Sequence, residues 1–278
     1  MATRAFLVGI ERYADPRNDL IGVSRDVAAL VSTLASFGVY DIEVARDENA
    51  KKHAIESGLI NLLRRTGAGD IAIFYYSGHG TLLPPEFSES DEPKEAFVPY
   101  ECDTANLILD KRIKDILDQN LSSEAFFYGI YDCCHSGDIH KSVLLSGNLA
   151  SVRRHELENV EVEKSLGTDR LIFNGTPLDG LAGPSAAKGL GFKKLILDDG
   201  RINAVHAAAS EPEKTALVLN LDGERRSVFT WAMENALRPD MSVAAFELAV
   251  TAKQATKTHH HKPYVTCHPS QKARMMLQ

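Results

Sequence analysis

The sequence lacks long apolar runs, internal repeats, low-complexity tracts and an excess of positive charge. Its first apolar run stops at Glu11, which is too short for a membrane span, and its layout is not that of a signal peptide. Lysine and arginine number 31 against 38 aspartates and glutamates, which gives a net charge of −7. Because phosphate binding needs a concentrated basic surface, this balance argues against a nucleic-acid partner.

Cysteines are few, and their spacing excludes the usual structural roles. The chain has four, at Cys102, Cys133, Cys134 and Cys267. Adjacent cysteines rarely bond to each other because disulfide geometry is hard to meet there. No CxxC pair is present, which argues against a structural zinc site. We therefore expect reduced thiols in a cytoplasmic protein, with no cofactor and no metal, and we interpret the histidine run 259–261 as a solvated loop.

The hydrophobic pattern predicts an α/β fold. Hydrophobic residues make up 44% of the chain and charged residues 25%, which is enough to bury a sizeable core. Strands are predicted at 4–10, 41–45, 70–76, 96–99, 125–131, 202–208 and 264–267. Apolar residues at helical spacing predict helices at 23–34, 55–63, 109–117, 229–237 and 243–250. Their alternating order implies a mostly parallel sheet with helices on both faces.

The segment 139–200 differs from the rest of the chain. It contains eight glycines, many basic residues and few periodic runs. So long a stretch without predicted elements is typical of a functional or mobile segment.

Two short segments carry reactive side chains at the ends of predicted strands. The first is Ser77-Gly78-His79-Gly80, and the second runs from Asp132 through Cys133 and Cys134 to Gly137. We expect the glycines to end each strand and to place both segments on loops. In an open α/β sheet such loops meet at the carboxyl edge, where ligands bind. A histidine on one loop is then expected to face a cysteine on its neighbour.

That pairing is the one needed for nucleophilic catalysis by a thiol. A free thiol with a pKa of ~8.5 is mostly protonated at neutral pH. A nearby imidazole assists thiolate formation and protonates the leaving amine. The flanking glycines let a substrate backbone approach closely. They also leave the backbone N–H groups of Gly80 and Cys134 as candidate donors to an oxyanion, an interaction worth roughly 3–4 kcal/mol.

These two motifs resemble those of metacaspases and bacterial orthocaspases, within the caspase-like cysteine peptidases. The interval 134 − 79 = 55 residues is close to the caspase histidine-to-cysteine interval of ~50. Weaker matches are Phe6–Ile10, Leu20–Asp26 and Ser227–Trp231. The resemblance implies a caspase-like fold with a central, mostly parallel sheet of about six strands and helices on both faces. It also implies one peptidase domain over 1–278, with a large-subunit-like region (1–138), a linker or insertion (139–199) and a small-subunit-like region (200–278).

The resemblance also implies residue roles. Cys134 directly precedes His-Ser-Gly and is the implied nucleophile, with His79 as its acid/base partner, whereas Cys133 is expected in the core. The acidic substrate pocket of metacaspases maps onto Asp26, Ser77 and Asp132. A pair of carboxylates suits an arginine or lysine of a polypeptide substrate and repels aspartate. The expected reaction is endopeptidase cleavage after arginine or lysine through a thioester acyl-enzyme.

The same resemblance also implies how the protein is regulated and whether it assembles. We expect a monomer, no membrane or nucleic-acid partner, and autoprocessing after a basic residue of the linker, with the Arg153-Arg154 region favoured. Many metacaspases are activated by calcium, whose acidic ligands lie in three places in that family. Here the first place keeps acids in 89–92, but the other two read Asp110-Lys111 and Lys141. We therefore predict activity without calcium.

Plainer alternatives remain for these residues. His79 could be a structural histidine, Cys134 an inert buried thiol, and Asp26 an acid favoured only by the dipole at the start of a helix. Two other functions also fit: a catalytically silent caspase-like protein that binds a regulatory partner, and a cysteine hydrolase acting on another acyl substrate. A silent relative would usually have lost the histidine or the cysteine, and this chain keeps both.

Overall fold

The computed structural model describes most of the chain on either side of the 139–200 segment. The described ranges are 1–83, 94–134, 203–209, 216–258 and 262–277, together with the backbone of strands at 160–165, 168–173 and 176–177. The acids at 89–92, the Arg153-Arg154 pair, Lys141 and the histidine run 259–261 lie outside these residues.

A central sheet of six strands organises the molecule. Its members are β1 (Thr3–Gly9), β2 (Asp41–Arg46), β3 (Ile71–Leu83), β6 (Phe126–Cys134), β10 (Ala204–Ala208) and β13 (Tyr264–Cys267). The spatial order is β13-β10-β6-β3-β1-β2. All neighbouring pairs are parallel except β10 and β13, which are antiparallel. The predicted α/β class and the mostly parallel sheet of about six strands are confirmed.

The remaining strands form small additions. An antiparallel extension along the far end of β3 consists of β4 (Lys94–Phe97) and β5 (Ile108–Leu109). A separate hairpin is formed by β11 (Val218–Leu221) and β12 (Glu224–Ser227). A three-stranded antiparallel sheet contains β7 (Val160–Ser165), β8 (Thr168–Phe173) and β9 (Thr176–Pro177). The last sheet corrects the expectation that segment 139–200 lacks regular elements.

Within the described residues, five α-helices cover the two faces of the sheet. They are α1 (Val23–Ser36), α2 (Lys52–Arg64), α3 (Asp110–Asn120), α4 (Val228–Ala236) and α5 (Val243–Ala255). Side chains alternate between faces along a strand, and β3 shows this directly. Phe74 and Tyr76 pack in one core with α2 and α3, whereas Ile73 and Tyr75 pack in a second core with α1, α4 and α5.

Strand β3 extends through the first motif, and β6 extends into the second as far as Cys134, whereas both motifs were predicted to lie on loops. The glycines do not end β3, which continues past His79 to Leu83, and β6 includes Cys134. Pairing between the two strands explains the extension, because a residue of low strand propensity can be held extended by its partner strand, and Gly78 and His79 pair with Cys133 and Cys134. For Ser77–Gly80 and for residues 132–134 of the second motif that prediction was wrong, although these residues do lie in the carboxyl-terminal parts of their strands.

Within the described ranges, none of the helices has the length and apolar character that crossing a bilayer requires.

Candidate active site

Strand register brings the two motifs together. In the parallel pair of β3 and β6, His79 is the partner of Cys134, Gly78 of Cys133, and Ser77 of Asp132. Two motifs separated by more than fifty residues in the chain thus lie side by side. The backbone of Cys134 is described, and it lies at the position directly across from the predicted base.

The His79 ring is held by the loop that follows β1. Its Nε2 atom lies 2.8 Å from the carbonyl oxygen of Asn18. Because a carbonyl only accepts, Nε2 carries the hydrogen, and Nδ1 of the neutral ring is left as the basic atom. The ring of Tyr13 packs against the imidazole, with centroids 5.0 Å apart. Burial lowers the pKa of His79, and the Asn18 carbonyl opposes this only in part.

Two tyrosine hydroxyls hold the backbone of His79. The Tyr13 oxygen accepts the His79 N–H at 2.7 Å. The Tyr76 hydroxyl lies 2.9 Å from the His79 carbonyl oxygen and 2.8 Å from that of Val98. A side chain at Gly78 would come within 2.9 Å of both hydroxyls. A glycine is therefore needed before His79 so that the two tyrosines can reach its backbone.

Tyr13 and Asn18 were not predicted as site residues. Both lie in the loop after the first strand, where no periodic pattern or reactive motif marks them. The available signal was topological: β1 lies beside β3 in a parallel sheet, so the loop after β1 reaches the edge that carries His79.

The other cysteines do not have the surroundings of a nucleophile. Cys133 is 5% exposed and packs in the core on the α2 and α3 side. Burial raises the pKa of the Cys102 thiol to about 12, so it is protonated at neutral pH. Cys102, Cys133 and Cys267, the cysteines whose side chains are described, form no disulfide. Cys133 therefore occupies the core position predicted for it.

Ser227 joins the two predicted pocket acids. Its backbone N–H donates to Oδ2 of Asp26 at 2.9 Å, and its hydroxyl donates to Oδ1 of Asp132 at 2.8 Å. Ser227 is also the N-cap residue of α4, where its hydroxyl oxygen accepts the N–H of Thr230 at 3.4 Å. One residue at the start of a helix thus links an acid from α1 to an acid from β6.

Asp132 is a buried carboxylate held by hydroxyl groups. Its Oδ2 accepts from the Thr230 hydroxyl at 2.6 Å, and the Tyr75 hydroxyl lies 2.9 Å from that same hydroxyl. The side chain is 5% exposed. Burial raises the pKa of Asp132, while the hydrogen bonds from Ser227, Thr230 and Tyr75 act in the opposite direction. The adjacent N-terminus of α4 further favours negative charge.

Asp26 is also buried, and it has an internal cation. Its Oδ1 accepts from Nε of Arg226 at 3.1 Å, and Nη1 of Arg226 lies 2.6 Å from the carboxylate of Glu234. Burial raises the pKa of Asp26 to about 7, and the nearby charge of Asp132 adds to this. The Ser227 N–H and Arg226 counteract the rise incompletely.

The three predicted pocket residues therefore lie close to one another. Ser77 is 3% exposed and stands across from Asp132 in register, while Asp26 reaches the group through Ser227. Arg226, Ser227 and Thr230 were not predicted. The sequence segment Ser227–Trp231 was noted only as a weak match, because nothing local showed that it packs against residues more than ninety positions earlier.

Comparison with known proteins gives the family. Residues 3–142 match the model of the metacaspase peptidase C14 domain, which is 140 of the 278 residues. The match includes β1, α1 and both strands that carry His79 and Cys134.

The chain belongs to the metacaspase family.

Individual metacaspases agree with this membership at modest identity. Metacaspase-9 of Arabidopsis thaliana is 39% identical over 146 residues, which covers 49% of this chain and 43% of that protein. Metacaspase-5 of Trypanosoma cruzi is 27% identical over 190 residues, which covers 62% of this chain and 42% of that protein. The alignments thus span less than half the length of these relatives.

A solved structure supports the fold of this metacaspase over its whole length. A crystal structure of a Geobacter sulfurreducens protein superposes with a TM-score of 0.62 and covers 100% of this chain and 99% of that one. The identity is 13%, so the likeness concerns the fold alone.

The calcium prediction falls mostly on residues that are not described. Asp110 is described, and its Oδ1 accepts the N–H of Lys111 at the start of α3. Among the described residues, no three histidine, cysteine or acidic side chains gather as a metal site would require. Calcium independence stays a prediction.

Proposed function

We propose that this chain is a cysteine endopeptidase that cleaves polypeptides after arginine or lysine, with Cys134 as nucleophile and His79 as acid/base. The observation that carries the proposal is the register pairing of His79 with Cys134 inside the segment that matches the metacaspase peptidase domain. A parallel-sheet edge that places an imidazole across from a cysteine is the arrangement that thiol catalysis requires.

The tautomer fixed by Asn18 supports the proton transfers. In the proposed first step, Nδ1 of His79 takes the thiol proton of Cys134, and the thiolate attacks the peptide carbonyl carbon to form a C–S bond. The carbonyl oxygen becomes an oxyanion, for which the N–H groups of Gly80 and Cys134 are the proposed donors. The C–N bond then breaks as the imidazolium gives its proton to the leaving amine. Water hydrolyses the thioester, with His79 again taking and returning a proton.

The acid pair supports the preference for a basic side chain. Asp26 and Asp132 place two carboxylates about Ser227, and burial in the fold strengthens their effect on any nearby charge. A substrate guanidinium or ammonium would be stabilised there, whereas a substrate carboxylate would be repelled. Ser77 lies beside Asp132 and is proposed as a third pocket residue.

A matched peptide series tests this proposal. Four reporter peptides should differ only in the residue before the cleaved bond: arginine, lysine, citrulline or aspartate. Citrulline has nearly the shape of arginine without its charge, so it isolates the electrostatic contribution. We expect cleavage of the arginine and lysine peptides and at least about 100-fold lower kcat/KM for the other two. Equal cleavage of the citrulline peptide would exclude a charge-reading pocket.

A further inference from the structure

Arg226 places a guanidinium against one of the proposed pocket acids. It extends from β12, is 4% exposed, and divides its contacts between Asp26 of α1 and Glu234 of α4. A basic side chain of the protein itself thus contacts the carboxylate that the proposed function assigns to a basic side chain of the substrate.

Both pocket carboxylates are inaccessible to a substrate in this arrangement. Asp26 is 2% exposed and Asp132 is 5% exposed. Both oxygens of Asp132 already accept from hydroxyl groups, and Oδ2 of Asp26 accepts the Ser227 N–H. A substrate cation reaches Asp26 only if a neighbouring group moves. In the part of the chain that the structure describes, Arg226 is the cationic neighbour whose contact it would replace.

The contact between Arg226 and Asp26 is not the strongest that these groups can make. Only Nε donates to Asp26, because Nη1 is directed at Glu234, and Nη2 has no hydrogen-bond partner among the described residues. Paired N–H donors from one guanidinium to one carboxylate are stronger and more specific. The pKa of Asp26 remains raised, to about 7, with Arg226 in place. Arg226 therefore does not fully offset the cost of burying this carboxylate, and a cation with better hydrogen-bond geometry could replace it.

We propose that Arg226 is a specificity-determining residue: it is an internal counter-ion of Asp26 that competes with the basic side chain of the substrate. The inference rests on the proposed cleavage after basic residues. Substrate binding exchanges one guanidinium or ammonium for another at Asp26, so Arg226 weakens the binding of basic peptides without acting in the chemical steps. Arg226 thereby favours the cleavage of substrates whose other contacts with the protein are strong enough to displace it from Asp26.

The test compares Arg226→Gln with Arg225→Gln. Arg225 is the preceding residue on β12 and is exposed, so its variant removes the same charge from the same strand. For the arginine peptide we expect Arg226→Gln to lower KM about tenfold, equal to about 1.4 kcal/mol, with kcat within about twofold of the parent value. Arg225→Gln should change neither constant. An unchanged or higher KM in Arg226→Gln, with the protein folded, would overturn the inference.

Two further measurements keep the test decisive. If Arg226→Gln does not fold, Arg226→Lys retains the buried charge but loses the Nε–H that donates to Asp26, and it should lower KM about threefold. An unchanged KM in this variant overturns the inference.

Agmatine, a small guanidinium compound, is then titrated calorimetrically into the same variants in the Cys134→Ala chain. Tighter binding by the Arg226 variants supports competition, and equal or weaker binding contradicts it. This binding readout needs no cleavage, so a failure of the peptidase proposal itself is seen separately.

Discussion

The Nε2 atom of His79 lies 2.8 Å from the carbonyl oxygen of Asn18. This contact decides which ring nitrogen carries the hydrogen of the neutral imidazole, and so which nitrogen accepts a proton. Since the ring is partly buried, its protonated form is also disfavoured. The geometry therefore describes an imidazole that stays neutral below the pH at which an exposed histidine becomes charged.

The first prediction concerns that pH. Burial lowers the pKa of His79, so the ring should titrate below the ordinary histidine value of ~6.5. The measurement is an NMR titration of the imidazole signals in the Cys134→Ala chain, which removes coupling to the thiol. The His79→Gln variant identifies the signal. A His79 pKa above 6.5 would show that burial is not the dominant influence on this ring.

The second prediction makes Tyr13 a positioning residue. Tyr13→Phe removes the oxygen that accepts the His79 N–H but keeps the ring that packs on the imidazole. A buried N–H without a partner costs about 1–3 kcal/mol, and we expect kcat to fall by about tenfold with little change in KM. Tyr40→Phe is the control, because Tyr40 is 81% exposed.

A purely structural role for Tyr13 would lower the melting temperature and leave kcat of the folded fraction unchanged. Titrating the active sites with a thiol-directed peptide inhibitor gives the concentration of competent enzyme and separates these outcomes. An unchanged kcat per active site in Tyr13→Phe would rule out positioning.

The third prediction concerns charge in the pocket. Asp132→Asn nearly keeps the shape of a side chain that accepts from Ser227 and Thr230, but it removes the negative charge. Loss of a buried charge partner lowers affinity by about 2–5 kcal/mol, so kcat/KM for the arginine peptide should fall by about 100-fold, and much less for the citrulline peptide. Exposed Asp240→Asn is the control. Equal losses on the two peptides would mean that the charge of Asp132 does not recognise the substrate.

The fourth prediction compares two glycines with the same backbone preference. Gly22 and Gly38 both have positive φ, at 100° and 85°. A side-chain carbon at Gly22 would lie 2.3 Å from the carbonyl oxygen of Arg225, whereas at Gly38 nothing lies within 4 Å. Gly38→Ala should cost about 1–2 kcal/mol from backbone strain alone, and Gly22→Ala about 1–3 kcal/mol more, because β12 must move away from α1. Denaturant unfolding measures both, and equal losses would contradict the close packing of β12 on α1.

Most helices and strands of the fold were predictable because each carries its own periodic pattern. Strand β13 was predicted at its observed bounds, 264–267. The extension of β3 through Gly78 and His79 was not predictable, since those residues have weak strand preference and are held extended by β6, while β4 pairs with β3 only from Gly80 onward. A local sequence pattern shows only which structure a segment favours by itself. The end of β3 is instead determined by the strands that pair with it.

The candidate site likewise contains residues that local sequence predicts and contacts that it does not predict. His79 and Cys134 stand out because reactive side chains between glycines have a local signature. The contact of Arg226 with Asp26 joins residues 200 positions apart, and no local pattern in either segment predicts it. Arg226 is one of two adjacent arginines on a short strand, and a pair of arginines is most often a solvated surface feature. Only the packing of β12 against α1 shows that Arg226 is buried whereas Arg225 is exposed.

The central claim is that Cys134, across from His79, is the nucleophile, and adjacent Cys133 offers a matched comparison. Both Cys134→Ala and Cys133→Ala are incubated with a peptidyl chloromethyl ketone ending in arginine, and covalent labelling is read by intact-protein mass spectrometry beside cleavage of the arginine peptide. We predict one label per chain and largely retained cleavage in Cys133→Ala, and neither labelling nor cleavage in Cys134→Ala. Cleavage that persists in Cys134→Ala, or labelling that moves to Cys133, would contradict the account.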